Sequence, residues 1–345
     1  MKKLVFIVLA MPVLFACKKH YSLFHSKSKW MKDYFKEIKN YDDIYALSWW
    51  DENFDNSYLK ITSGKHTRNT YRKLVADDIF LTQCSFSNNK LVAPSAGNKY
   101  IAAFPDFGGT EDQVSAEAIS SFEDAAGKPI AWAYFSNNWL DSLVFPKQDV
   151  NTILSAGKTP FIRIMFRSEF EENKKDPKLS LLDLINGKYD AAITAWANEA
   201  KNISEPLLVE FGTEVNGQWF SWNGTYYGGG NTTGYGDATY PDGPEIFRDA
   251  YRHLIDVCNA QGADNLTWFY HFDVNDDPEE EWNNPVYYYP GDNYIDWLGV
   301  STYGPVQRGD DYVKPAELIQ KAHERFLSIS KNKPYAILEF GITEL

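Results

Sequence analysis

The stretch LLVEFGTEVNGQWFSWNG, residues 207–224, joins an apolar run to a glutamate, an Asn-Gly pair and two tryptophans. A short apolar run that stops at turn-forming residues is typical of a strand buried on both faces, as in a parallel sheet. Six further runs of this kind occur in the chain: YIAAF (100–104), IAWAYF (130–135), PFIRIMF (160–166), LTWFYHF (266–272), WLGVST (297–302) and YAILEF (335–340). The stretch is therefore one unit of a repeated pattern, and that pattern decides the fold.

The segments between these runs have the spacing of amphipathic helices, and several end at Gly or before Pro. They include AEAISSFEDAAG (116–127), YDAAITAWANEAKN (189–202), IFRDAYRHLIDVCNAQG (246–262) and PAELIQKAHERFLSI (315–329). Strands that alternate with helices predict an α/β fold, and a length of 345 residues favours a (β/α)8 TIM barrel over a doubly wound sheet. No GxGxxG follows a strand, which argues against dinucleotide binding.

The number of strands is one short of a closed barrel. Seven runs follow Lys99 and the chain ends soon after the seventh, so the barrel is expected to lack its last β/α unit. Either the chain is truncated at its C-terminal end, which we favour, or part of residues 41–95 supplies the missing strand. The barrel domain is assigned to residues 99–345, and residues 41–98 to an N-terminal extension of unclear structure.

The formal net charge of −13 is unevenly distributed along the chain. Residues 1–40 contain nine Lys against two acidic residues, so the remainder is strongly acidic. An acidic surface repels phosphate backbones, which argues against nucleic acid and other polyanions as partners. Neutral ligands are compatible with it.

The N-terminal residues MKKLVFIVLAMPVLFACKK have the charge and length pattern of a secretory signal peptide, expected at residues 1–16. LFAC resembles a bacterial lipobox, which implies lipidation of Cys17 and a basic, flexible tether over residues 17–40. An ordinary signal peptide with a chance cysteine is the alternative. The expected protein is an exported bacterial lipoprotein, periplasmic or at the cell surface, that meets the membrane through its lipid alone.

The chain has three Cys and no cluster of His, which predicts no metal site, and no motif predicts a cofactor. Cys84 and Cys258 either form a disulfide in an oxidising compartment or remain free thiols.

Two glutamates lie at or just after the ends of apolar runs. Glu214 comes after the run that ends at Phe211, and Glu339 is the second-last residue of YAILEF. The carboxyl ends of barrel strands meet at one face, so we expect these side chains to face each other. A pair of carboxyl groups across a cleft is the equipment for glycoside hydrolysis. Trp219 and Trp222 could stack on the apolar faces of sugar rings. Two unrelated exposed acids are the alternative.

From about Lys99 onward, the chain resembles the retaining β-glycanases of glycoside hydrolase family 26, whose best-known members are β-mannanases. EVNGQWFSW, YYYPGDNYIDWLGVSTYG and PYAILEFG carry the resemblance. It implies catalytic glutamates at strands four and seven, with Glu214 as acid/base and Glu339 as nucleophile. Family members usually have a sugar-binding histidine where this chain has Thr213, which keeps a hydroxyl but has a shorter reach.

Further residues at strand ends are candidates for substrate binding. The resemblance implies that Tyr303 hydrogen-bonds the nucleophile. Asn216 either binds sugar hydroxyls or forms an Asn-Gly turn. Arg163 orients the nucleophile, binds sugar or forms a structural salt bridge. The remaining candidates are Trp139 and His271.

The sequence therefore predicts a retaining endo-β-glycanase that cleaves a β-linked polysaccharide, with β-1,4-mannan as the leading substrate and without metal or cofactor. Mixed-linkage β-glucan and β-1,3-xylan are alternative substrates. A non-catalytic glycan-binding lipoprotein is the alternative function.

Overall fold

A computed structural model describes residues 26–54 and 56–344 of the chain. Eight parallel strands form its central barrel: β1 (Ile44–Trp50), β2 (Lys99–Phe104), β3 (Trp132–Asn138), β4 (Thr159–Met165), β5 (Leu207–Phe211), β6 (Leu266–Asp273), β7 (Trp297–Tyr303) and β8 (Tyr335–Gly341). Each strand pairs with its neighbour in the sequence, and β1 pairs with both β2 and β8. This last pairing closes the sheet into a (β/α)8 barrel.

The expectation that the barrel lacks a strand is wrong, because the N-terminal extension supplies β1. In its sequence, IYALSWW, six of the seven residues are buried, so β1 lacks the alternation that marks a half-exposed strand. Counted from β1, Glu214 follows the fifth strand and Glu339 lies in the eighth, rather than at strands four and seven. The step from one strand to the other is still three strand positions.

Helices surround the barrel: α1 (Lys27–Glu37), α2 (Lys65–Val75), α3 (Ala116–Ala126), α4 (Lys147–Ser155), α5 (Leu181–Ile185), α6 (Asp190–Ala200), α7 (Asp242–Ala260), α8 (Pro285–Tyr288) and α9 (Pro315–Ile329). Short 3₁₀ segments cover Ile38–Asn40, Gly224–Tyr227 and Glu281–Asn283. Two small hairpins pair Asn53–Phe54 with Ser57–Tyr58 and Phe86–Ser87 with Lys90–Leu91, and Phe80–Leu81 adds to the edge of β2.

Helix α1 belongs to the packed domain, so the expectation of a flexible tether is wrong from residue 26 onward. Its N-cap Ser26 accepts a hydrogen bond from the Lys29 N–H, which fixes where the helix begins. Trp30 and Tyr34 are fully buried, and the Tyr34 ring stacks on Phe340 of β8 with centroids 4.8 Å apart. The apolar face of α1 therefore covers the outside of the barrel.

The end of the barrel opposite the carboxyl ends of the strands is covered by the hairpin at residues 86–91. The Leu91 N–H donates to Thr267 Oγ1 (2.9 Å), and Trp297 Nε1 donates to the Leu91 carbonyl (3.1 Å). The face formed by the carboxyl ends of the strands is open, and a cleft lies there.

Cys84 and Cys258 are free thiols, so the disulfide alternative is wrong. Residues 1–25, with the expected signal peptide and Cys17, lie outside the described residues. Within residues 26–54 and 56–344, no helix has the length and apolar character needed to cross a membrane.

Candidate active site

Glu214 lies in the loop after β5, where the backbone turns sharply into the cleft. Gly212 (φ +64°) and Glu214 (φ +46°) both have left-handed backbone conformations. A Cβ on residue 212 would approach the Phe247 ring to 2.6 Å, so glycine is required there for space as well as for its φ. A non-glycine residue at positive φ costs on the order of 1–3 kcal/mol, and such strain concentrates at functional sites.

Glu339 lies within β8 and is held more rigidly by its strand. Phe340 packs outward against Tyr34 (centroid distance 4.8 Å). Since successive side chains of a strand point to opposite faces, Glu339 points into the barrel mouth. Tyr303, at the end of the neighbouring strand β7, donates a hydrogen bond to Glu339 Oε2 (2.8 Å).

The two glutamates meet across the mouth of the barrel. One carboxylate oxygen of Glu214, one of Glu339 and a ring nitrogen of His271 all lie within 4.8 Å of one another. Glu214 and Glu339 are 9% and 5% exposed, so both carboxyls are largely removed from water. Retaining glycosidases place their two carboxyl groups roughly 5–5.5 Å apart, and this arrangement is of that scale.

Arg163, from β4, is the cation beside Glu339. Its guanidinium lies 3.5 Å from Glu339 Oε1 and 3.5 Å from Glu210 Oε1, and it donates to Glu111 Oε2 at 3.0 Å. Burial raises the pKa of Glu339 to about 7; the Arg163 charge opposes this shift, while the Glu214 carboxylate adds to it. Arg163 therefore favours the ionised form of Glu339, which burial would otherwise disfavour.

Beneath the two glutamates lies a buried polar network centred on His271. Its Nδ1 faces Thr213 Oγ1 (2.8 Å) and Glu210 Oε2 (3.1 Å), and its Nε2 faces Ser301 Oγ (2.9 Å). Burial lowers the pKa of His271, but the carboxylates of Glu210, Glu339 and Glu214 together raise it, and the net shift is upward. Thr213 and His271 are 0% and 1% exposed, so this structure uses them to orient neighbouring groups rather than to present a surface to a ligand.

Trp219 is the aromatic residue that reaches the cleft from the Glu214 loop. Its Nε1 donates to Glu214 Oε2 (2.9 Å), which fixes the orientation of that carboxyl. The ring is partly exposed and lines the cleft, so it can also contact a sugar.

Three predicted binding residues do not face the cleft. Trp222 is fully buried and donates to the Thr213 carbonyl (2.9 Å), and Trp139 (2% exposed) packs on Phe166 with centroids 5.0 Å apart. Neither ring has a face open for stacking. Asn216, with no exposed surface, clamps the loop after β6 through bonds to Asp273, Asn275 and Asp276, which corresponds to the structural alternative for this residue.

The cleft itself has a volume of about 360 Å³. Sequence reasoning missed several of its lining residues: Trp50, Glu52, Phe54, Gly109, Glu111, Glu172, Phe220 and Val306. Trp50 is the last residue of β1 and Glu52 follows it; IYALSWW could be interpreted as a strand, but it has no strong period and was not assigned to the barrel. Glu111 follows β2, and the rule that active groups follow barrel strands would have found it.

Glu214, His271 and Glu339 are also the one group of possible metal ligands among the described residues. The nearby guanidinium of Arg163 already supplies positive charge to Glu339. A metal ion there would be repelled by Arg163, so the donor set fits a carboxylate pair better than a metal centre.

Comparison with known proteins gives a family match. The model of glycosyl hydrolase family 26 matches residues 175–328. Endoglucanase H of Acetivibrio thermocellus is 28% identical over 236 residues, which are 68% of this chain and 23% of that protein. A mannan endo-1,4-beta-mannosidase of Bacillus subtilis is 24% identical over 236 residues, 68% of this chain and 53% of that protein. The chain thus spans about a quarter and about half of these two relatives.

Solved structures are also similar. A beta-mannanase from a symbiotic protist of the termite Reticulitermes speratus, complexed with gluco-manno-oligosaccharide, matches with a TM-score of 0.47 and 13% identity, over 92% of this chain and 79% of that one. GH26A from Muricauda sp. MAR_2010_75 matches with a TM-score of 0.45 and 18% identity, over 66% and 74%. Over residues 175–328, which contain Glu214 but not Glu339, the chain is similar to glycosyl hydrolase family 26.

Proposed function

We propose that the protein is a retaining endo-β-glycanase in which Glu214 is the acid/base and Glu339 the nucleophile. The observation that carries the proposal is the approach of the two carboxyls, with oxygens within 4.8 Å of each other at the carboxyl ends of β5 and β8. Their environments differ in the sense that the two roles require. Glu339 has a cation and a phenol beside it, whereas Glu214 has a single indole N–H donor.

The reaction then runs as a double displacement. Glu214 protonates the glycosidic oxygen while Glu339 attacks the anomeric carbon, which gives a covalent glycosyl-enzyme and releases the first product. Glu214, now ionised, removes a proton from water, and that water displaces Glu339. Tyr303 holds the attacking carboxyl by its hydrogen bond to Oε2, while Arg163 lies beside the other oxygen.

The pair must start with one proton, held by Glu214. Burial raises the pKa of Glu339 to about 7, which marks where the nucleophile gains a proton. We therefore expect kcat/KM to fall as the pH drops below about 7, since protonated Glu339 cannot attack.

The leading substrate is β-1,4-mannan, the glycan named for the Bacillus subtilis relatives. β-Glucan is the second candidate, because the relative with 28% identity is named an endoglucanase. The position of Thr213 supports keeping both: its hydroxyl contacts His271 and does not reach the cleft surface. A non-catalytic glycan-binding protein remains the alternative class.

Release of reducing ends from β-mannan, mixed-linkage β-glucan and β-1,3-xylan tests the proposal and ranks the substrates. Glu324→Gln, on the exposed side of α9, serves as the control variant. Early product observed by proton NMR should be the β-anomer. An initial α-anomer would exclude the retaining mechanism, and binding of glycan without any release would leave the non-catalytic alternative.

We also propose that Cys17 carries a lipid and anchors an exported protein, on the strength of the LFAC motif after an apolar leader. Metabolic labelling with a fatty acid should mark the wild type and not Cys17→Ser. Equal labelling of both would overturn this part.

A further inference from the structure

The cleft that holds the candidate catalytic pair is strongly acidic. Five glutamates line it (Glu52, Glu111, Glu172, Glu214 and Glu339), and Arg163 is the single cation among its described lining residues. The five belong to β8 or to the segments that follow β1, β2, β4 and β5, so carboxylates surround much of the barrel mouth.

Arg163 compensates only part of this charge. It donates to Glu111 at 3.0 Å and lies 3.5 Å from Glu339. Glu52, in contrast, accepts only the uncharged indole N–H of Trp50, at 3.2 Å. Neither Glu52 nor Glu172 has an ion-pair partner within 4 Å among residues 26–54 and 56–344. When ionised, these two carboxylates therefore bring negative charge to the wall of the cleft without a salt bridge to offset it.

The electrostatics of both residues agree with this geometry. Burial raises the pKa of Glu52 to about 7, and the Glu111 carboxylate raises it further. Glu172 keeps an exposed side chain, but partial desolvation raises its pKa; the Arg167 guanidinium opposes the shift without cancelling it. Each glutamate thus already experiences the negative potential of its neighbours, as would any anionic group that entered the cleft.

We infer that the cleft selects uncharged β-glycan chains and rejects chains that carry carboxylates, with Glu52 and Glu172 as specificity-determining residues. Sugar hydroxyls can donate hydrogen bonds to these carboxylates, and such charge-assisted bonds are strong. A carboxylate on the glycan offers no donor and meets like charge in a partly desolvated site, which suppresses binding. The inference rests on the proposed function, since it concerns the same cleft.

The test uses two derivatives of the glycan that the wild type cleaves, carboxymethyl and hydroxyethyl, at equal degrees of substitution. The two substituents are similar in size and differ in charge. The selectivity ratio is kcat/KM on the hydroxyethyl polymer divided by kcat/KM on the carboxymethyl polymer. We expect this ratio to be at least about tenfold for the wild type and to approach one at high salt, where charges are screened. Glu172→Gln and Glu52→Gln should each reduce the ratio severalfold.

Glu324→Gln is the control, since it removes the same charge away from the cleft and should leave the ratio unchanged. Thermal melting checks that each variant folds; Glu172 is exposed, so Glu172→Gln keeps the test open if Glu52→Gln does not fold. An equal rate on both polymers, or a ratio unaffected in both cleft variants, would overturn the inference.

The proposed function can fail separately, by absence of cleavage of any neutral glycan. In that case, retardation of Glu214→Ala in gels that contain each derivative decides the selectivity by binding alone. Stronger retardation by the hydroxyethyl polymer than by the carboxymethyl polymer supports the inference if the difference becomes smaller when Glu172→Gln is added to Glu214→Ala. Equal retardation by the two polymers overturns it.

Discussion

The two sides of the cleft hold their glutamates by different means. On the β8 side, Glu339 is part of a regular strand and contacts Arg163 of β4 and Tyr303 of the neighbouring strand β7. On the β5 side, Glu214 lies beyond the end of its strand with φ +46°, and among the described residues its one side-chain hydrogen bond comes from Trp219. The strand side fixes charge and position, whereas the loop side leaves its carboxyl open to exchange a proton.

This difference fits the separate demands of the two proposed roles. A nucleophile must be ionised and aimed at one atom, so a cation and a rigid strand serve it. An acid/base must change its protonation state in each half-reaction, so a permanent cation beside it would oppose the first step. The asymmetry of the environments, more than the presence of two acids, supports the assignment of roles.

Removal of each carboxyl should have the largest effect and should distinguish the two sides. We expect Glu339→Ala and Glu214→Ala each to lower kcat on polysaccharide by about 10²–10⁴-fold or more. With an activated aryl glycoside, which needs no acid, azide should rescue Glu214→Ala to a β-glycosyl azide by attack on the glycosyl-enzyme. Azide should enter from the opposite face in Glu339→Ala and give the α-product.

The stereochemistry of the azide products is the decisive readout, measured by proton NMR. A β-azide from Glu339→Ala would show that the roles of the two glutamates are the reverse of those proposed. Full activity in either variant would show that the replaced residue is not catalytic. Glu324→Gln should behave as the wild type.

Replacement of Arg163 by Met should have the next largest effect and should act on the β8 side alone. Loss of the guanidinium removes the charge that lowers the pKa of Glu339, so this pKa should rise above about 7. The ionised fraction at neutral pH then falls, and the acidic limb of the pH profile of kcat/KM should move to higher pH. Leaving buried carboxylates unpaired also destabilises the fold by about 3–5 kcal/mol.

The pH profile separates this electrostatic role from a merely structural one. Arg163→Lys, which keeps the charge, should retain much of the wild-type profile, although an ammonium group cannot reproduce the separate guanidinium contacts to Glu111, Glu210 and Glu339. An acidic limb unchanged in Arg163→Met would show that Arg163 does not control the ionisation of Glu339. Denaturant unfolding measures the stability change independently.

The smallest effects should come from deleting one hydrogen bond on each side. Tyr303→Phe removes the donor to Glu339, and Trp219→Phe removes the donor to Glu214, each worth about 1.5–3 kcal/mol, or roughly tenfold or more in rate. Tyr303→Phe should slow all substrates alike. Trp219→Phe should spare aryl glycosides with good leaving groups, because these need no protonation by Glu214.

Steady-state kinetics on polysaccharide and on an aryl glycoside with a good leaving group give the comparison. If Trp219→Phe lowers the rate on both substrates by the same factor, the Trp219 hydrogen bond does not act through protonation by Glu214.

The sequence could predict the repeated strands and the glutamates because both follow from local patterns. The runs that became β2 to β8 are short, apolar and bounded by turn residues, and acids after such runs are placed by topology at one face. The burial of Trp222, Trp139 and Asn216 could not be predicted in this way. Whether a side chain after a strand turns toward the cleft or beneath it depends on the loop backbone, which for Trp222 and Asn216 includes left-handed Gly212 and Glu214 and for Trp139 left-handed Leu140.

Strand β1 was not assigned to the barrel from the sequence for a different reason. IYALSWW carries two tryptophans and little alternation, and it is separated from β2 by a long segment with one helix and several minor strands. Its partner β8 lies at the other end of the sequence, so no local spacing connects them. Trp50 and Glu52, which line the cleft, were therefore not predicted as site residues either.

The position of β1 also bears on how the chain reaches its folded form. During synthesis the first barrel strand leaves the ribosome early, whereas β8, which covers one of its edges, appears last. At typical rates of translation that interval is on the order of tens of seconds. Throughout it, an aromatic strand has an unsatisfied edge of N–H and C=O groups, which is a template for intermolecular pairing. The newly made protein should therefore depend on chaperones that shield this edge until the last strand arrives.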